Sequence, residues 1–227
     1  MELRAENVSM RFFRKRGEAN FFEAVCLVSL MLKSGELTVL KGKSGSGKTT
    51  LTHILAGLLR PSEGNVYLDR TNLYALNDEI LSRLRNEKIG VVPQGRSAVD
   101  TLTVYENILL PGLLYSRADR SPEAEKWMEI LGIADLRDAM PAELSGGELR
   151  RLAIARVLTG NPAVILADEP TGDLDDENTR NVLSAFHACA HEENKAIFIV
   201  THENDALEYA DRVLTMDGGR IAFPDCC

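Results

Sequence analysis

Eight residues, Gly42 to Thr49, constrain this chain more than any other stretch. They read GKSGSGKT and fit G-x-x-x-x-G-K-[ST], with a short β-type run, ELTVL, before them and an amphipathic helical run after them. Glycines at these positions let successive backbone N–H groups curl around a β-phosphate, where bulkier side chains would obstruct it. Lys48 offers a point charge to the β- and γ-phosphates, and the Thr49 hydroxyl is a Mg²⁺ ligand. The expected phosphate cradle is therefore Gly42, Lys43, Ser44, Gly45, Ser46, Gly47, Lys48, Thr49 and Thr50.

A strand that feeds such a loop into a helix belongs to an α/β sheet, and the rest of the chain supplies the sheet. AVILADEP and AIFIVTHE are short continuous apolar runs of the kind buried on both faces of a parallel sheet. NVYLD and KIGVVPQ read as further strands. LRAENVSMRFF and EAVCLVSLML read as two more around the polar turn RKRGEAN. RVLTMDGGRIAF closes as a hairpin around Asp217-Gly218-Gly219. The helix after the cradle places Leu51, Ile54, Leu55 and Leu58 on one face and is expected to run to RPSEG. From Leu102 to Gly160 the pattern is helical. Within it SPEAEKWMEILG has Ser121 as N-cap, Pro122 at the first helical position and Gly132 as a stop. The 227 residues, 44% of them hydrophobic, suffice for one large domain: an α/β core with a helical insertion and an antiparallel edge.

Parallel strands deliver their C-terminal ends to one crevice. That places four more side chains near the cradle. Asp168, at a strand end, can hold Mg²⁺ directly or through water. Glu169 follows it, where a base or water-orienting group for attack on the γ-phosphate would sit. His202 ends the next strand as a γ-phosphate contact, and Gln94, after KIGVVP, can reach Mg²⁺ or the attacking water. A second anion-favouring element lies at LSGGELRRLAIAR, residues 144–156. Ser145 and Glu148 have capping-box spacing, and two glycines leave the N–H groups of the first helical turn uncovered.

Taken in order, GKSGSGKT, Gln94, LSGGE, ILADEP, GDLD and His202 resemble the nucleotide-binding subunit of an ABC transporter. The resemblance implies a P-loop NTPase (RecA-like) core with an N-terminal antiparallel β subdomain, built from residues 1–92 and 161–227. A helical subdomain, 93–160, would be inserted in it. It also implies a homodimer formed on ATP binding, two subunits head to tail. Ser145, Gly146 and Gly147 of one would then touch the γ-phosphate held by the other. Asp175 matches the loop joining the two composite sites, Glu169 the general base and His202 the switch histidine. Phe12 matches the aromatic that stacks on adenine, the plainer alternative being a core strand residue. TGDLD together with TLTVYENILLPGLL is similar to the lipoprotein-release, macrolide-export and cell-division branch, which works with a separate transmembrane permease. Two stretches depart from that branch: GRSAVDT after Gln94, and LRR after LSGGE. The alternative is a soluble ABC ATPase without a transport role, such as one for cofactor assembly; a plain P-loop kinase leaves LSGGE without a task.

A net charge of −8 and a pI near 5.1 argue against nucleic acid as a partner. No apolar run approaches a membrane span and no leader opens the chain, so the expected location is cytoplasmic, peripheral on the inner face of the membrane. Cys26, Cys189, Cys226 and Cys227 lack metal-site spacing and read as reduced thiols, the last two in a frayed tail. His187 and His191 read as a solvated helical face, Trp127 as core of the helical lobe, and RFFRKR as a hairpin with a charged rim.

Overall fold

The computed structural model describes residues 1–13, 21–115 and 119–222. The turn RKRGEAN, apart from the residues that flank it, and the Cys226-Cys227 pair fall outside them.

Two sheets organise the chain. Strands β1 (Glu2–Phe13), β2 (Phe21–Lys33), β4 (Glu63–Leu68) and β5 (Thr71–Asn72) form an antiparallel sheet in the order β2-β1-β4-β5. A six-stranded sheet is ordered β10-β9-β3-β8-β7-β6, from β3 (Glu36–Lys41), β6 (Ile89–Val92), β7 (Val164–Asp168), β8 (Ala196–Thr201), β9 (Arg212–Asp217) and β10 (Arg220–Ala222). All its pairings are parallel except β9 with β10. That hairpin turns at Gly218 and Gly219, with φ of +50° and +79°. A two-residue turn of this hand needs positive φ at both central positions.

Residue parity along the parallel strands shows why they read as unbroken apolar runs. In β8, Ala196, Phe198 and Val200 enter one core cluster, and Ile197 and Ile199 the other. In β7, Val164 and Leu166 divide from Ile165 and Ala167 in the same way. The first core lies beneath α1 (Lys48–Leu55) and the antiparallel sheet. The second lies beneath α6 (Asp176–His191) and the segment between β6 and β7, which carries α3 (Val104–Tyr115), α4 (Ser121–Ile130) and α5 (Gly146–Thr159). Trp127 sits in that second core, as its pattern predicts.

Three local expectations change. α1 ends at Leu55, because Gly57 turns left-handed (φ +69°) and the N–H groups of Leu58 and Leu59 both return to the His53 carbonyl. Leu58 is consequently 54% exposed. Ser121 is the first residue of α4 instead of its cap, since the Asp119 carboxylate accepts its N–H at 2.9 Å. A further helix, α2 (Asp78–Lys88), is capped by Asn77, whose side chain accepts the Ile80 N–H. Between β6 and α3 the loop is stapled by Asn107. Its fully buried amide shares two N–H donors among the carbonyls of Val99, Leu102 and Thr103, and its oxygen accepts the Val99 N–H.

Candidate active site

Because β8 lies between β3 and β7, the C-terminal ends of four adjacent parallel strands open on one edge. They surround a cleft of about 560 Å³ lined by Lys43, Ser44, Gly45, Gly47, Lys48, Thr49 and Thr50, with Gln94, Glu169 and His202 facing them and Phe22 and Ala24 forming an apolar wall. The cradle's shape depends on its glycines. Gly47 has φ +104°, and a Cβ there would fall 2.0 Å from the Ala24 carbonyl oxygen. Gly42 is nearly as confined, with a Cβ position 2.5 Å from the Met216 carbonyl oxygen. The hairpin turn braces the loop from behind, the Gly219 N–H donating to the Ser46 carbonyl.

Lys48 is buried, and its ammonium donates to the carbonyls of Gly42 (2.7 Å) and Lys43 (3.1 Å). Its Nζ stands 4.0 Å from Glu169 Oε1. Asp168 lies beneath the cleft wall, 1% exposed, and burial pushes its carboxyl pKa up. The neighbouring Thr49 side chain pulls the other way, yet neither carboxylate oxygen completes a hydrogen bond with any donor among the described residues. A buried carboxylate left without donors is costly unless a cation faces it.

At Glu169 the chain turns left-handed, φ +49°, which is strained for a residue with a Cβ. The turn is pinned by the Glu169 N–H, which donates to the Val200 carbonyl at 2.9 Å. It separates the two acidic neighbours, sending Asp168 beneath the wall and Glu169 into the cleft. Glu169 Oε2 accepts from the Thr201 hydroxyl (3.1 Å) and the His202 N–H (3.4 Å), while Oε1 lies 2.9 Å from His202 Nδ1. The hydrogen bond and charge of Glu169 hold the largely exposed His202 imidazole above its ordinary pKa of 6.5.

Among the aromatics, Phe22 lines the cleft and Phe12 does not; Phe12 stacks on Phe22 across the β1–β2 pair, ring centroids 5.6 Å apart. Gly42 and Ser46 stand behind the wall. Ser145, Gly146, Gly147 and Asp175 are also absent from the cleft lining. Ser145 caps α5 reciprocally with Glu148, as the sequence predicts. Asp175 caps α6 by accepting the Asn178 N–H at 2.8 Å. The first turn of α5 approaches the loop before α6: a Cβ at Gly147 would lie 3.1 Å from the Asp173 carbonyl oxygen. One chain thus carries two separate surfaces, the cleft at the glycine-rich loop and an exposed serine–glycine helix start.

The family model described as ABC transporter matches residues 26–172. The chain belongs to the ABC transporter family. It is an ATP-binding cassette with the architecture of an ATP hydrolase. A lipoprotein-releasing system ATP-binding protein LolD of Aquifex aeolicus is 39% identical over 221 residues, covering 96% of this cassette and 95% of that protein. A macrolide export ATP-binding/permease protein MacB of Chlorobaculum tepidum is 40% identical over 196 residues, 86% of this cassette but 30% of that longer protein. The cassette MJ0796 of Methanocaldococcus jannaschii, solved as a dimer in a post-hydrolysis state bound to ADP and Pi, superposes with a TM-score of 0.91 at 32% identity, 97% of each chain covered. The fold is thus the P-loop NTPase core expected from the motifs. No helix among the described residues is long and apolar enough to cross a membrane.

Proposed function

We propose that this cassette clasps ATP between two copies of itself and uses the cycle of closure and hydrolysis to drive a separate transmembrane permease. The reading rests chiefly on Glu169, a carboxylate set by a strained turn at a strand end and shared with His202 and Thr201 beside Lys48. In that position Glu169 is the general base for water attacking the γ-phosphate. His202 then holds a proton near the developing phosphate charge, and Gln94 orients the water from the β6 end. Lys48 and the cradle N–H groups bind the β- and γ-phosphates. Phe22, backed by Phe12, offers the apolar wall for adenine.

Mg²⁺ fits this site. Its ligands would come from the Thr49 hydroxyl, Asp168 and Gln94, all hard oxygen donors, and Asp168 has both oxygens unengaged. When bound, the ion neutralises charge shared by the β- and γ-phosphates.

Ser145, Gly146 and Gly147 serve the partner's nucleotide, and Asp175 sits where the two composite sites meet. Relatives with lipoprotein-release and macrolide-export names support an extrusion or force-transmitting role, with the cassette peripheral on the inner face of the membrane. Light scattering of the purified chain tests the clasp. The expected result is a two-chain species with ATP and Mg²⁺ that reverts to one chain with ADP; a monomer under both conditions overturns it. Co-purification of a multi-span membrane protein from detergent extracts tests the permease.

A further inference from the structure

Arginine 150 lies within LRR, one of the stretches that depart from the branch, and a cation in a helical run ordinarily marks a solvated face. Here it is 6% exposed. Its guanidinium donates to the Pro93 carbonyl at 2.7 Å and stands 3.9 Å from the Asp173 carboxylate. Pro93 immediately precedes Gln94, which lines the cleft. Asp173 belongs to the loop that leaves Glu169, where the Gly172 N–H returns to the Glu169 carbonyl and the Leu174 N–H to Thr171. Arg150 itself rides one turn beyond the Ser145 cap. A second arginine of the same helix, Arg156, donates to the Ser97 carbonyl and hydroxyl, so α5 grips the Gln94 segment at both ends. A guanidinium can donate to the Pro93 carbonyl with one arm while its other arm stays in ion-pair range of the largely exposed Asp173 carboxylate.

We propose that Arg150 is a positioning residue that ties the Gln94 loop and the 171–175 loop to the helix start at Ser145, so that the three segments move together. The inference builds on the ATP-clasp reading. It adds how the half-site a chain lends to its partner is linked to the half-site it keeps. Movement of the serine–glycine turn onto a partner's nucleotide then shifts Gln94 through Pro93, and Glu169 through Asp173.

The test uses the full chain with Arg150→Gln, Arg150→Lys and Asp173→Asn, and three measurements: amide hydrogen exchange, affinity for a fluorescent ATP analogue at a concentration where the chain is monomeric, and steady-state hydrolysis. Arg150→Gln is expected to speed exchange in both 94–97 and 171–175 and to lower kcat roughly ten-fold, the analogue's Kd changing by less than about two-fold. Arg150→Lys should recover part of the rate by holding one partner, and Asp173→Asn should loosen only 171–175. Exchange in Arg150→Gln that is unchanged in either loop overturns the proposal, as does a kcat loss matched by an equal loss of monomer affinity. Should Arg150→Gln fail to fold, the ordering of the other two variants decides: a wild-type exchange pattern in both overturns it. A wild-type chain that neither dimerises nor hydrolyses ATP would sink the functional reading, whereas the exchange result judges the tie by itself.

Discussion

Replacing Glu169 with Gln isolates the charge at the centre of the cleft, since the side chain keeps its size and its place on the turn at φ +49°. An amide oxygen can still accept from the Thr201 hydroxyl and the His202 N–H, so the fold should hold. What disappears is the negative charge 4.0 Å from the Lys48 ammonium, with both side chains nearly buried. At an effective dielectric of about 20 the direct Coulomb attraction over that distance is about 4 kcal/mol, and the desolvation of two nearly buried charges offsets much of it. Removing the charge has two consequences of opposite sense. The water loses its base, and turnover should fall by about two to four orders of magnitude. The triphosphate, however, loses a like charge facing it and gains an undivided Lys48, so ATP should bind more tightly and the two-chain species should persist. Phosphate release measures the first effect, and light scattering with ATP and Mg²⁺ the second. A variant that turns over within about five-fold of wild type removes Glu169 from the role of base. A slow variant that stays monomeric with ATP would instead break the link between trapped nucleotide and closure.

The same carboxylate sets the pH behaviour of His202. Its folded pKa lies above 6.5, so the pairing with Glu169 stabilises the fold fully below that pH and is lost as pH rises through the raised value. Proton NMR should place the wild-type imidazole titration above 6.5 and that of Glu169→Gln lower; an unshifted titration refutes the pairing. Truncating Phe22 to Ala should weaken nucleotide binding about 3- to 10-fold through lost stacking, and truncating Phe12 less, because among the described residues Phe22 lines the cleft and Phe12 stacks behind it. Fluorescence titration with the reverse order would assign the adenine to Phe12. Asn107→Ala removes both N–H donors and the acceptor from a fully buried site and should cost roughly 2–4 kcal/mol, visible as a fall in Tm of roughly 4–16 °C. A fall under one degree would mean that water replaces the amide. Gly47→Ala places a methyl group 2.0 Å from a carbonyl oxygen and should abolish nucleotide binding in calorimetry.

Features governed by short-range rules were legible from the sequence. The cradle, the Ser145–Glu148 capping box, the Asp217–Arg220 hairpin and the doubly buried strands each depend on a few adjacent residues. Phe22 was not legible. Its place opposite Phe12 depends on the β1–β2 register, and β1 carries three register shifts that defeat any count of alternate residues. α2 was missed because only Leu81 of its eleven residues is buried, leaving almost no apolar stripe, although Asn77 before Asp78 and Glu79 is a cap signal. Arg150 was hidden for a different reason. Its polar partners, Pro93 and Asp173, come from segments 57 residues before it and beyond the next strand. Nothing in its own neighbourhood of sequence reports them.

The division of the chain into two anion-favouring surfaces bears on why closure should depend on ATP. Within the cleft, the Lys48 ammonium is already engaged by two loop carbonyls and faces Glu169. At the other surface, Ser145 and Gly146 are exposed, and the Ser145 hydroxyl is turned onto Glu148, which accepts it at 2.7 Å. That carboxylate is held below the ordinary range by the serine it caps and keeps its negative charge beside the helix start. Two such surfaces have little reason to meet unaided. A triphosphate in the cradle changes the balance, because its outer oxygens offer the uncovered N–H groups of Gly146 and Gly147 an acceptor with more charge than the protein provides. Loss of the γ-phosphate removes that acceptor. On the proposed clasp the serine would then return to its own glutamate, so the capping box that starts α5 would compete with the nucleotide and affect how readily the dimer reopens. Glu148→Gln, which keeps the cap but drops the charge, should therefore slow dissociation of the ATP-bound pair by roughly 2- to 5-fold. Faster dissociation in that variant, followed by subunit exchange, would show that the carboxylate helps the clasp instead of opposing it.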